Sequence, residues 1–468
     1  MLRIFRHYFP IPTLVLAVVE FAAFAAAIFL ITQAGGAMAA DSVALLVRFS
    51  LASALVILLV MMAVGLFNSD TFLDYRLGLV RTLMALAFIV PLTAVGILSL
   101  RALSDLPRQA SWSWNFELVI AWLICLGITR AAFLHVSSLE FLKRRVLVLG
   151  TGKRALRVKS LAEEGRGPHR FVPVAFVNAC GDPALVKSLS LSLDKDADRT
   201  LLARRTRELA ATEIVLATDD RRGMPVHQLL ECKLAGIRIT DYVSFCERET
   251  GAVDLSALQP SWFIFGDGFH SGIASELVKR SFDVIVSVVF LTVVLPVILL
   301  TMIAIKLESR GPVLYRQPRV GLLGRDFVLL KFRSMQVDAE QNGAPQWAQR
   351  NDARVTRVGA LIRKVRIDEL PQLVNVIRGE MSFVGPRPER PFFVNQLAQQ
   401  LQFYCARHSV RPGITGWAQV NYPYGASVED ARQKLSYDLY YLKNRGVFLD
   451  LVILIQTVRV ILWPAGAR

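Results

Sequence analysis

Asp368 and Glu369 stand side by side directly after a strongly basic segment of the chain. Residues 306–366 contain 13 Lys and Arg against 5 Asp and Glu, a net charge of +8. Pro371 favours the first turn of a helix, so the two carboxylates are expected at or just before a helix start, where partial positive charge stabilises carboxylates and attracts phosphate. Nearby arginines are expected to keep Asp368 ionised, and hence nucleophilic.

A carboxylate pair beside concentrated positive charge suits chemistry on a diphosphate. Lys, Arg and Mg²⁺ would neutralise the negative charge of such a substrate. Phosphoryl transfer depends mainly on positioning and charge stabilisation, and a carboxylate can attack phosphorus and hold the transferred group as an acyl phosphate. The neighbouring carboxylate can bind Mg²⁺, which takes oxygen ligands readily. The pair therefore predicts a nucleophile and a metal ligand.

Two Gly- and Pro-rich segments, residues 379–388 and 411–417, are typical of loops that shape the backbone near anions. Prolines on both sides of Arg387 would hold its guanidinium in place, so that it could form a forked contact with phosphate or with a uracil edge. An ordinary turn with a solvated arginine is the alternative.

Composition indicates where such a site would lie. The chain has 468 residues, 53% of them hydrophobic, and a formal net charge of +16. Its mean hydropathy is +0.42, which is high for a soluble protein and predicts membrane segments. A basic, apolar protein is expected to contact anionic lipid headgroups or phosphate-rich substrates. Nucleic acid is the rival partner, and it is disfavoured because the charge accompanies long apolar runs.

Four apolar stretches fill the first third of the chain, and each is long enough to cross a bilayer as a helix. They are Pro12–Ile31, Val43–Phe67, Val80–Leu100 and Trp114–Leu134. Lys and Arg in the flanking segments favour a cytoplasmic N-terminus. The first run is too long for the core of a signal peptide, so a retained span is expected. Glu20 and Arg48 lie inside spans, where snorkelling or a polar contact between helices is expected.

Strands alternate with helices over residues 143–265, which predicts a small Rossmann-like sheet. The strand candidates are Arg145–Gly150, Phe171–Val177, Glu213–Ala217 and Ile237–Tyr242. Gly150, Gly152 and Ala155 could cradle a pyrophosphate at a helix start. Asn178 stands where a dinucleotide site needs an acidic residue, so a structural or regulatory role is favoured.

A fifth apolar run covers Val284–Ile305 and contains Pro296 near its middle. Basic residues flank both ends, so neither direction of insertion is preferred. Proline removes a helix hydrogen bond and bends the helix, and a bent helix can enter and leave by the same face. A kinked full span is the alternative, but it would place all later residues outside, away from nucleotide sugars.

The cysteines and the last apolar stretch carry less functional information. The five cysteines have no CxxC spacing, which predicts packing residues in a reducing compartment, without a disulfide framework or zinc site. Val447–Trp463 is interrupted by Asp450, Gln456 and Arg459. It predicts a helix in the headgroup plane, with a core helix as the alternative.

From Lys279 onward, the sequence resembles the bacterial sugar transferase family, also called monotopic phosphoglycosyl transferases. The matching strings are Lys279-Arg-Ser-Phe-Asp283, Gly311-Pro-Val-Leu-Tyr-Arg-Gln317, Lys331-Phe-Arg-Ser-Met335, Asp368-Glu-Leu-Pro-Gln372, Val384-Gly-Pro-Arg-Pro388, Arg411-Pro-Gly-Ile-Thr-Gly-Trp417 and Tyr437-Asp-Leu-Tyr-Tyr-Leu-Lys443. The preceding spans and Rossmann-like region resemble the long form of the family, such as the initiating enzymes of exopolysaccharide and O-antigen synthesis.

The resemblance implies transfer of a hexose-1-phosphate from a UDP-sugar to undecaprenyl phosphate, with release of UMP. It implies that Asp368 is the nucleophile, that Glu369 helps to bind Mg²⁺, and that the helix bent at Pro296 re-enters the membrane. The positions implied near the phosphates or the uridine are Lys331, Arg333, Arg363 and Arg387. Glucose and galactose are the expected sugars, because long members of the family often use them.

The expected fold is an α/β membrane protein at the bacterial inner membrane, with its catalytic domain on the cytoplasmic face. It has three parts: a four-helix transmembrane bundle (residues 1–142), a Rossmann-like domain (143–265), and a mainly helical catalytic domain (279–468) with a re-entrant helix over residues 283–306. The expected partners are the UDP-sugar, undecaprenyl phosphate and membrane lipids, and no nucleic acid. A homodimer through the first two parts is a further hypothesis.

Three alternatives remain open at this level. A membrane-tethered, NAD-dependent dehydratase or epimerase would need an intact dinucleotide motif and a Tyr-x-x-x-Lys pair, whereas Tyr440 and Lys443 are three residues apart. A scaffold or chain-length regulator of polysaccharide export would explain the spans but not the carboxylate pair. Direct transfer, with Asp368 as general base, is the mechanistic rival.

Overall fold

The structure, a computed structural model, describes most of the chain. The described residues are 2–4, 7–34, 40–68, 71–72, 74–102, 111–138, 143–164, 171–178, 182–186, 191–192, 200–266, 268–269, 272–336, 354–423, 425 and 427–462. One of the five cysteines, Cys180, and the end of the last apolar stretch, Trp463, lie outside them. The chain forms two compact units: unit 1 comprises residues 1–2 and 8–249, and unit 2 comprises residues 3–7 and 250–468.

Long helices form the first part of unit 1. They are α1 (Ile11–Ala34), α2 (Ala40–Val64), α3 (Tyr75–Ala102) and α4 (Ser111–Ser138). Each is long and apolar enough to cross a membrane. The predicted stretches lie inside these helices, except that α2 ends before Phe67. Gly65 adopts φ +85° there, and the Leu66 N–H bonds the Met61 carbonyl (2.9 Å), which ends the helix.

Glu20 makes a polar contact between two of these helices. Its side chain is fully buried on α1, and it pairs with Arg130 of α4 at 2.8 Å. Thr129 donates a further hydrogen bond to the same carboxylate at 3.2 Å. An unpaired carboxylate at this depth would be costly, so the pair helps to fix α1 against α4. This contact confirms the interhelical interpretation of Glu20.

A parallel five-stranded sheet forms the rest of unit 1. Its strands are β3 (Arg144–Leu149), β4 (Phe171–Asn178), β5 (Leu191–Ser192), β6 (Glu213–Leu216) and β7 (Arg238–Asp241). They are arranged in the order β5-β4-β3-β6-β7, with β3 at the centre. The accompanying helices are α5 (Lys153–Glu164), α6 (Leu201–Glu208), α7 (Val226–Leu234) and α8 (Tyr242–Thr250). Residues 146–149 are wholly buried, as expected for a strand covered on both faces.

The Gly-rich turn after β3 is closed by a carboxylate of the chain itself. Asp219 accepts hydrogen bonds from the Lys153 N–H (2.8 Å) and the Arg154 N–H (3.1 Å) at the start of α5. A Cβ at Gly152 would collide with the same carboxylate. Asp219 thus takes the position that a ligand phosphate would need at this helix N-terminus. This geometry argues against the NAD-dependent alternative.

Unit 2 combines helices with short strands. A first group is α9 (Pro260–Phe265), α10 (Ile273–Glu308), β8 (Leu314–Val320), β9 (Asp326–Phe332), α11 (Arg357–Lys364) and α12 (Gln372–Arg378). A second is β10 (Ser382–Val384), α13 (Pro391–Gln400), β11 (Gly413–Thr415), α14 (Trp417–Asn421), α15 (Val428–Asn444) and α16 (Val447–Leu462). β8 and β9 pair antiparallel, whereas β10 and β11 pair parallel. Two short strands, β1 (Leu2–Ile4) and β2 (His7–Phe9), precede α1 in the chain.

The fifth apolar helix is longer than its apolar run. α10 has 36 residues with Pro296 inside it, and it too is long and apolar enough to cross a membrane. Its buried residues are Asp283 and Ser287 on one side of Pro296 and Thr301 and Ile305 on the other. The apolar side chains between them are largely exposed, as expected for a segment that contacts lipid.

The last helix packs one face into unit 2. Leu449, Asp450 and Ile453 of α16 are wholly buried, whereas Leu451 and Ile461 are exposed. Asp450 pairs with Lys279 at 2.7 Å and accepts a hydrogen bond from Tyr441 at 2.8 Å. The buried face favours the core-helix alternative for this segment.

The apolar helices and the parallel sheet confirm the prediction of an α/β protein with membrane-spanning potential. The finer descriptions stay predictions: the four-helix bundle, the Rossmann-like domain, the re-entrant helix, and the division into residues 1–142, 143–265 and 279–468.

Candidate active site

A tight turn in unit 2 presents the carboxylate pair. Arg366 has a left-handed backbone (φ 60°), and a 3₁₀ helix follows over Ile367–Glu369. Pro371, with φ −61°, stands immediately before α12, which agrees with its predicted place at a helix start. A left-handed arginine costs about 1–2 kcal/mol of backbone energy, so contacts made by the turn must offset that cost.

Glu369 meets three cations at one oxygen. Its Oε1 lies 2.6 Å from Arg387 Nη2, 3.4 Å from Lys331 Nζ and 3.4 Å from Arg366 Nη1. Burial opposes ionisation of Glu369, but the charges of Arg387, Lys331 and Arg366 outweigh it and hold its pKa well below the usual range. Glu369 is therefore a fixed negative charge inside a cationic cluster.

Asp368 is buried beside this cluster but does not share its hydrogen bonds. Its side chain is 8% exposed, and its Oδ1 has no hydrogen-bond partner among the described residues. Burial raises the pKa of Asp368, the charge of Glu369 raises it further, and the neighbouring cations offset only part of this rise. The prediction from sequence took account of the nearby cations but not of this burial. Asp368 is thus a buried carboxylate, one oxygen of which has no hydrogen-bond partner among the described residues.

Lys331 and Arg387 reach the pair from separate elements. Lys331 lies on β9, paired with Tyr315 of β8. Burial lowers the pKa of Lys331, and the charge of Glu369 offsets part of that effect. Arg387 lies in the loop after β10 and is 30% exposed at its side chain. The structure therefore brings Asp368, Glu369, Lys331 and Arg387 together.

Arg333 and Arg363 lie differently. The guanidinium of Arg333 donates to the carbonyls of Ser309 (2.9 Å) and Arg310 (3.0 Å) and to Ser309 Oγ (2.8 Å), directly after α10. Arg363 is half-buried in the last turn of α11, and its carbonyl accepts the Arg366 N–H at 3.3 Å. Neither contact joins these residues to the carboxylate pair, and their predicted contact with substrate stays a prediction.

Arg366 is a site residue that the sequence analysis did not select. Its spacing of three residues before Glu369 was the available signal, because residues i and i+3 meet on a helical turn. The sequence does not indicate the left-handed backbone that turns Arg366 toward this carboxylate.

The start of α10 is fastened to the elements that follow the site. Lys279 pairs with Asp283 (3.1 Å) and Asp450. Asp283 also accepts hydrogen bonds from Ser382 Oγ (2.8 Å) and the Phe383 N–H (3.1 Å) on β10. One turn away, Arg280 donates to the carbonyls of residues 376 and 377 at the end of α12. The basic residues of this motif are thus engaged within unit 2.

The protein supplies only part of the set of ligands that Mg²⁺ needs. Among the described residues, no group of three or more His, Cys, Asp and Glu is close enough to hold a metal. Asp368 and Glu369 offer two adjacent carboxylates, and Asp368 Oδ1 is an unused acceptor. Mg²⁺ commonly binds one or two carboxylates and completes its shell with substrate phosphates and water. The pair fits that mode of binding.

Three known proteins that this chain resembles are named as transferases that act on undecaprenyl phosphate. The chain is 46% identical over 253 residues, 54% of this chain and 59% of the relative, to the UDP-N-acetylgalactosamine-undecaprenyl-phosphate N-acetylgalactosaminephosphotransferase of Aeromonas hydrophila. It is 37% identical over 235 residues, 50% of each protein, to the UDP-glucose:undecaprenyl-phosphate glucose-1-phosphate transferase of Escherichia coli (strain K12). These alignments span 59% and 50% of the length of the two relatives.

A shorter relative is covered more fully. The UDP-glucose:undecaprenyl-phosphate glucose-1-phosphate transferase of Caulobacter vibrioides is 44% identical over 188 residues, which are 40% of this chain and 70% of the relative. The profile of the bacterial sugar transferase family matches residues 274–464, which include α10 from its second residue onward, the carboxylate pair and its three cations. The chain belongs to the bacterial sugar transferase family.

Proposed function

We propose that this protein transfers a hexose-1-phosphate from a UDP-sugar to undecaprenyl phosphate and releases UMP, as the first membrane step of exopolysaccharide or O-antigen synthesis. The observation that carries the proposal is the carboxylate pair. Asp368 has a buried oxygen with no hydrogen-bond partner in the described part of the chain, and the adjacent Glu369 is held by three cations. The three cations outnumber the two carboxylates by one, and this excess of positive charge complements a diphosphate.

In the proposed first step, Asp368 Oδ1 attacks the phosphorus that carries the sugar. A bond forms between Oδ1 and this phosphorus, and the bond to the bridging oxygen breaks, so that the oxygen and its electron pair leave with UMP. Arg387 and Lys331 lie 2.6 Å and 3.4 Å from Glu369, the residue next to the nucleophile. They would stabilise the negative charge that develops on the phosphate oxygens. Burial leaves Asp368 poorly hydrated, which favours attack once the substrate excludes water.

In the proposed second step, a phosphate oxygen of undecaprenyl phosphate attacks the same phosphorus. The new phosphorus–oxygen bond completes the lipid diphosphate, and the aspartyl–phosphorus bond breaks to return a free carboxylate. With two successive displacements at one phosphorus, the soluble UDP-sugar and the lipid acceptor do not have to react with each other directly. This is the advantage of covalent catalysis here.

Mg²⁺ is part of this proposal. Glu369 would hold the ion together with phosphate oxygens, and the ion would neutralise part of the diphosphate charge. Removal of divalent cations with EDTA should abolish UMP release, and Mg²⁺ should restore it. Full activity in EDTA would exclude this part of the proposal.

We further propose that α10 re-enters the membrane and leaves unit 2 on the cytoplasmic face of the bacterial inner membrane. Asp283 is bonded to β10, whereas Arg333, directly after β9, bonds Ser309 beyond the other end. Ser309 stands 26 residues after Asp283, so a straight helix joining them would rise about 39 Å, more than the roughly 30 Å hydrocarbon core. A bend near Pro296 would let both ends stay on one side.

A UDP-sugar panel tests the proposed reaction. Purified protein in lipid nanodiscs receives UDP-glucose, UDP-galactose, UDP-N-acetylgalactosamine or GDP-sugars, with and without undecaprenyl phosphate, and UMP or GMP release is measured. We expect UMP release with at least one UDP-hexose and formation of the lipid-linked sugar diphosphate when the acceptor is present. Release of UDP instead of UMP, or turnover of GDP-sugars only, would contradict the proposal.

A further inference from the structure

The loop that carries Arg387 is held by its carbonyl oxygens. Four consecutive carbonyls each accept a hydrogen bond from a different part of unit 2. Pro386 O accepts from the Gly413 N–H (2.9 Å), Arg387 O from Arg407 Nη2 (2.9 Å), Pro388 O from Arg319 Nη1 (2.9 Å), and Glu389 O from the Val320 N–H (3.0 Å). A loop fastened at four successive residues has little freedom to move its side chains away from the site.

Arg407 is the donor for Arg387 itself, and it is deeply buried. Its exposure is 6%. Besides the Arg387 carbonyl, its guanidinium contacts Tyr404 Oη (2.8 Å) and pairs with Asp438 of α15 (2.8 Å). A buried guanidinium is tolerated only when charge and hydrogen bonds compensate its lost hydration. Asp438 is 1% exposed and supplies that charge.

These contacts form one line from α15 to the carboxylate pair. Asp438 holds the guanidinium of Arg407, Arg407 holds the backbone of Arg387, and the Arg387 guanidinium lies 2.6 Å from Glu369. The Arg407 guanidinium fork bonds Tyr404 and the Arg387 carbonyl through separate nitrogens, which a lysine ammonium on its flexible stem would not reproduce.

We propose that Arg407, oriented by Asp438, is a positioning residue that aims Arg387 at Glu369 and at the diphosphate. This inference rests on the proposed function for its catalytic consequence. It assigns no contact between Arg407 and substrate. A shift of about 1 Å in a positioned group can cost about 100-fold in rate, so loss of this support should be visible in turnover.

A double-mutant cycle separates positioning from a general loss of structure. Arg407→Gln should lower kcat/KM for UMP release by about 10- to 100-fold in the native background. In an Arg387→Ala background it should lower kcat/KM by less than about twofold, because Arg407 then has nothing left to aim. Arg407→Lys should recover little, and Asp438→Asn should act in the same direction as Arg407→Gln. Equal losses in both backgrounds would overturn the proposal.

Arg248→Gln is the matched control. Arg248 is 7% exposed in unit 1, and it pairs with Glu213 at 2.8 Å and 3.0 Å, so its removal also breaks a buried guanidinium pair. Its effect on kcat/KM should be the same in the native and Arg387→Ala backgrounds. A cycle for Arg248 as coupled as the cycle for Arg407 would mean that the coupling reports lost stability, and it would overturn the proposal.

Hydrogen exchange gives a readout that does not need activity. In the full-length protein in nanodiscs, Arg407→Gln should speed amide exchange at Gly385 and Gly413 by about tenfold, and Arg248→Gln should leave these amides unchanged. Unchanged exchange in Arg407→Gln would overturn the proposal. Faster exchange in a protein whose native form releases no UMP from any UDP-sugar would refute the proposed function and leave the positioning of Arg387 standing.

Discussion

Asp368 and Glu369 are adjacent and have the same cationic neighbours, yet their pKa values shift in opposite directions. Glu369 Oε1 lies within reach of Arg387, Lys331 and Arg366, so Coulombic attraction outweighs its burial. Asp368 Oδ1 has no partner among the described residues, so burial outweighs the same charges. Such a divergence separates a charge-holding carboxylate from a reactive one, which is the division of roles that the proposed mechanism needs.

Substitutions at Arg366 separate its charge from its backbone. Arg366→Gly and Arg366→Ala both remove one cation from Glu369, so both should lower kcat/KM for UMP release by a similar factor, on the order of tenfold. Only glycine relieves the left-handed backbone at φ 60°, so Arg366→Gly should be about 1 kcal/mol more stable than Arg366→Ala. Denaturant unfolding in detergent measures this difference. Equal stabilities would contradict the inferred strain.

The residue types and their order predicted part of the site. The carboxylate pair, Lys331 and Arg387 could be selected because charge density, proline punctuation and family strings all mark them. The left-handed Arg366 could not, because the backbone conformation of an arginine depends on tertiary contacts. The position of Arg333 could not either, because a guanidinium in a basic segment is equally suited to phosphate and to backbone carbonyls.

At the scale of elements, α10 is held at both ends. The apolar run predicted a helix over residues 283–306, and the structure extends it to Ile273–Glu308. Hydropathy detects only the lipid-facing part, whereas the extension at the start carries Lys279 and Arg280, which bind other parts of unit 2. The sequence thus predicted the existence of the element but not its anchored ends.

Arg333 should matter more for stability than for substrate binding. Arg333→Gln removes donors to the carbonyls of Ser309 and Arg310 after α10, and each of these part-buried hydrogen bonds contributes about 1 kcal/mol. We expect that loss in the free energy of unfolding, with little change in KM for the UDP-sugar. Arg325→Gln, an exposed arginine before β9, is the control and should change neither. A large rise in KM at native stability would instead support the predicted contact of Arg333 with phosphate.

At the scale of the whole molecule, the chain combines apolar helices with a cationic cluster for which we propose a cytoplasmic nucleotide-sugar substrate. The five candidate spans could be predicted because each is a long apolar run. Length and hydropathy are the same for a helix that crosses and one that returns, so the prediction of a re-entrant α10 depended on Pro296 and on the basic residues at both ends, and it stays a prediction. The contacts of its two ends within unit 2 favour return, which keeps the carboxylate pair on the side where nucleotide sugars occur.

The native Cys405 reports this topology. It is the exposed cysteine among the four described ones and lies in unit 2. In a variant that keeps only this cysteine, a membrane-impermeant maleimide should label inside-out inner-membrane vesicles and leave intact spheroplasts unlabelled. Labelling of intact spheroplasts would place this residue in the periplasm and contradict the re-entrant arrangement.

The central claim is that Asp368 accepts the phosphosugar covalently. The most direct test incubates the purified protein with a UDP-sugar that supports UMP release, without undecaprenyl phosphate, followed by rapid quenching in acid and mass spectrometry. We predict one added hexose phosphate per chain, located on the peptide that contains Asp368, and its disappearance when undecaprenyl phosphate is added before quenching. An adduct on another residue would contradict the account. An unmodified chain, under conditions that give turnover once acceptor is present, would also contradict it and would favour direct transfer with Asp368 as general base.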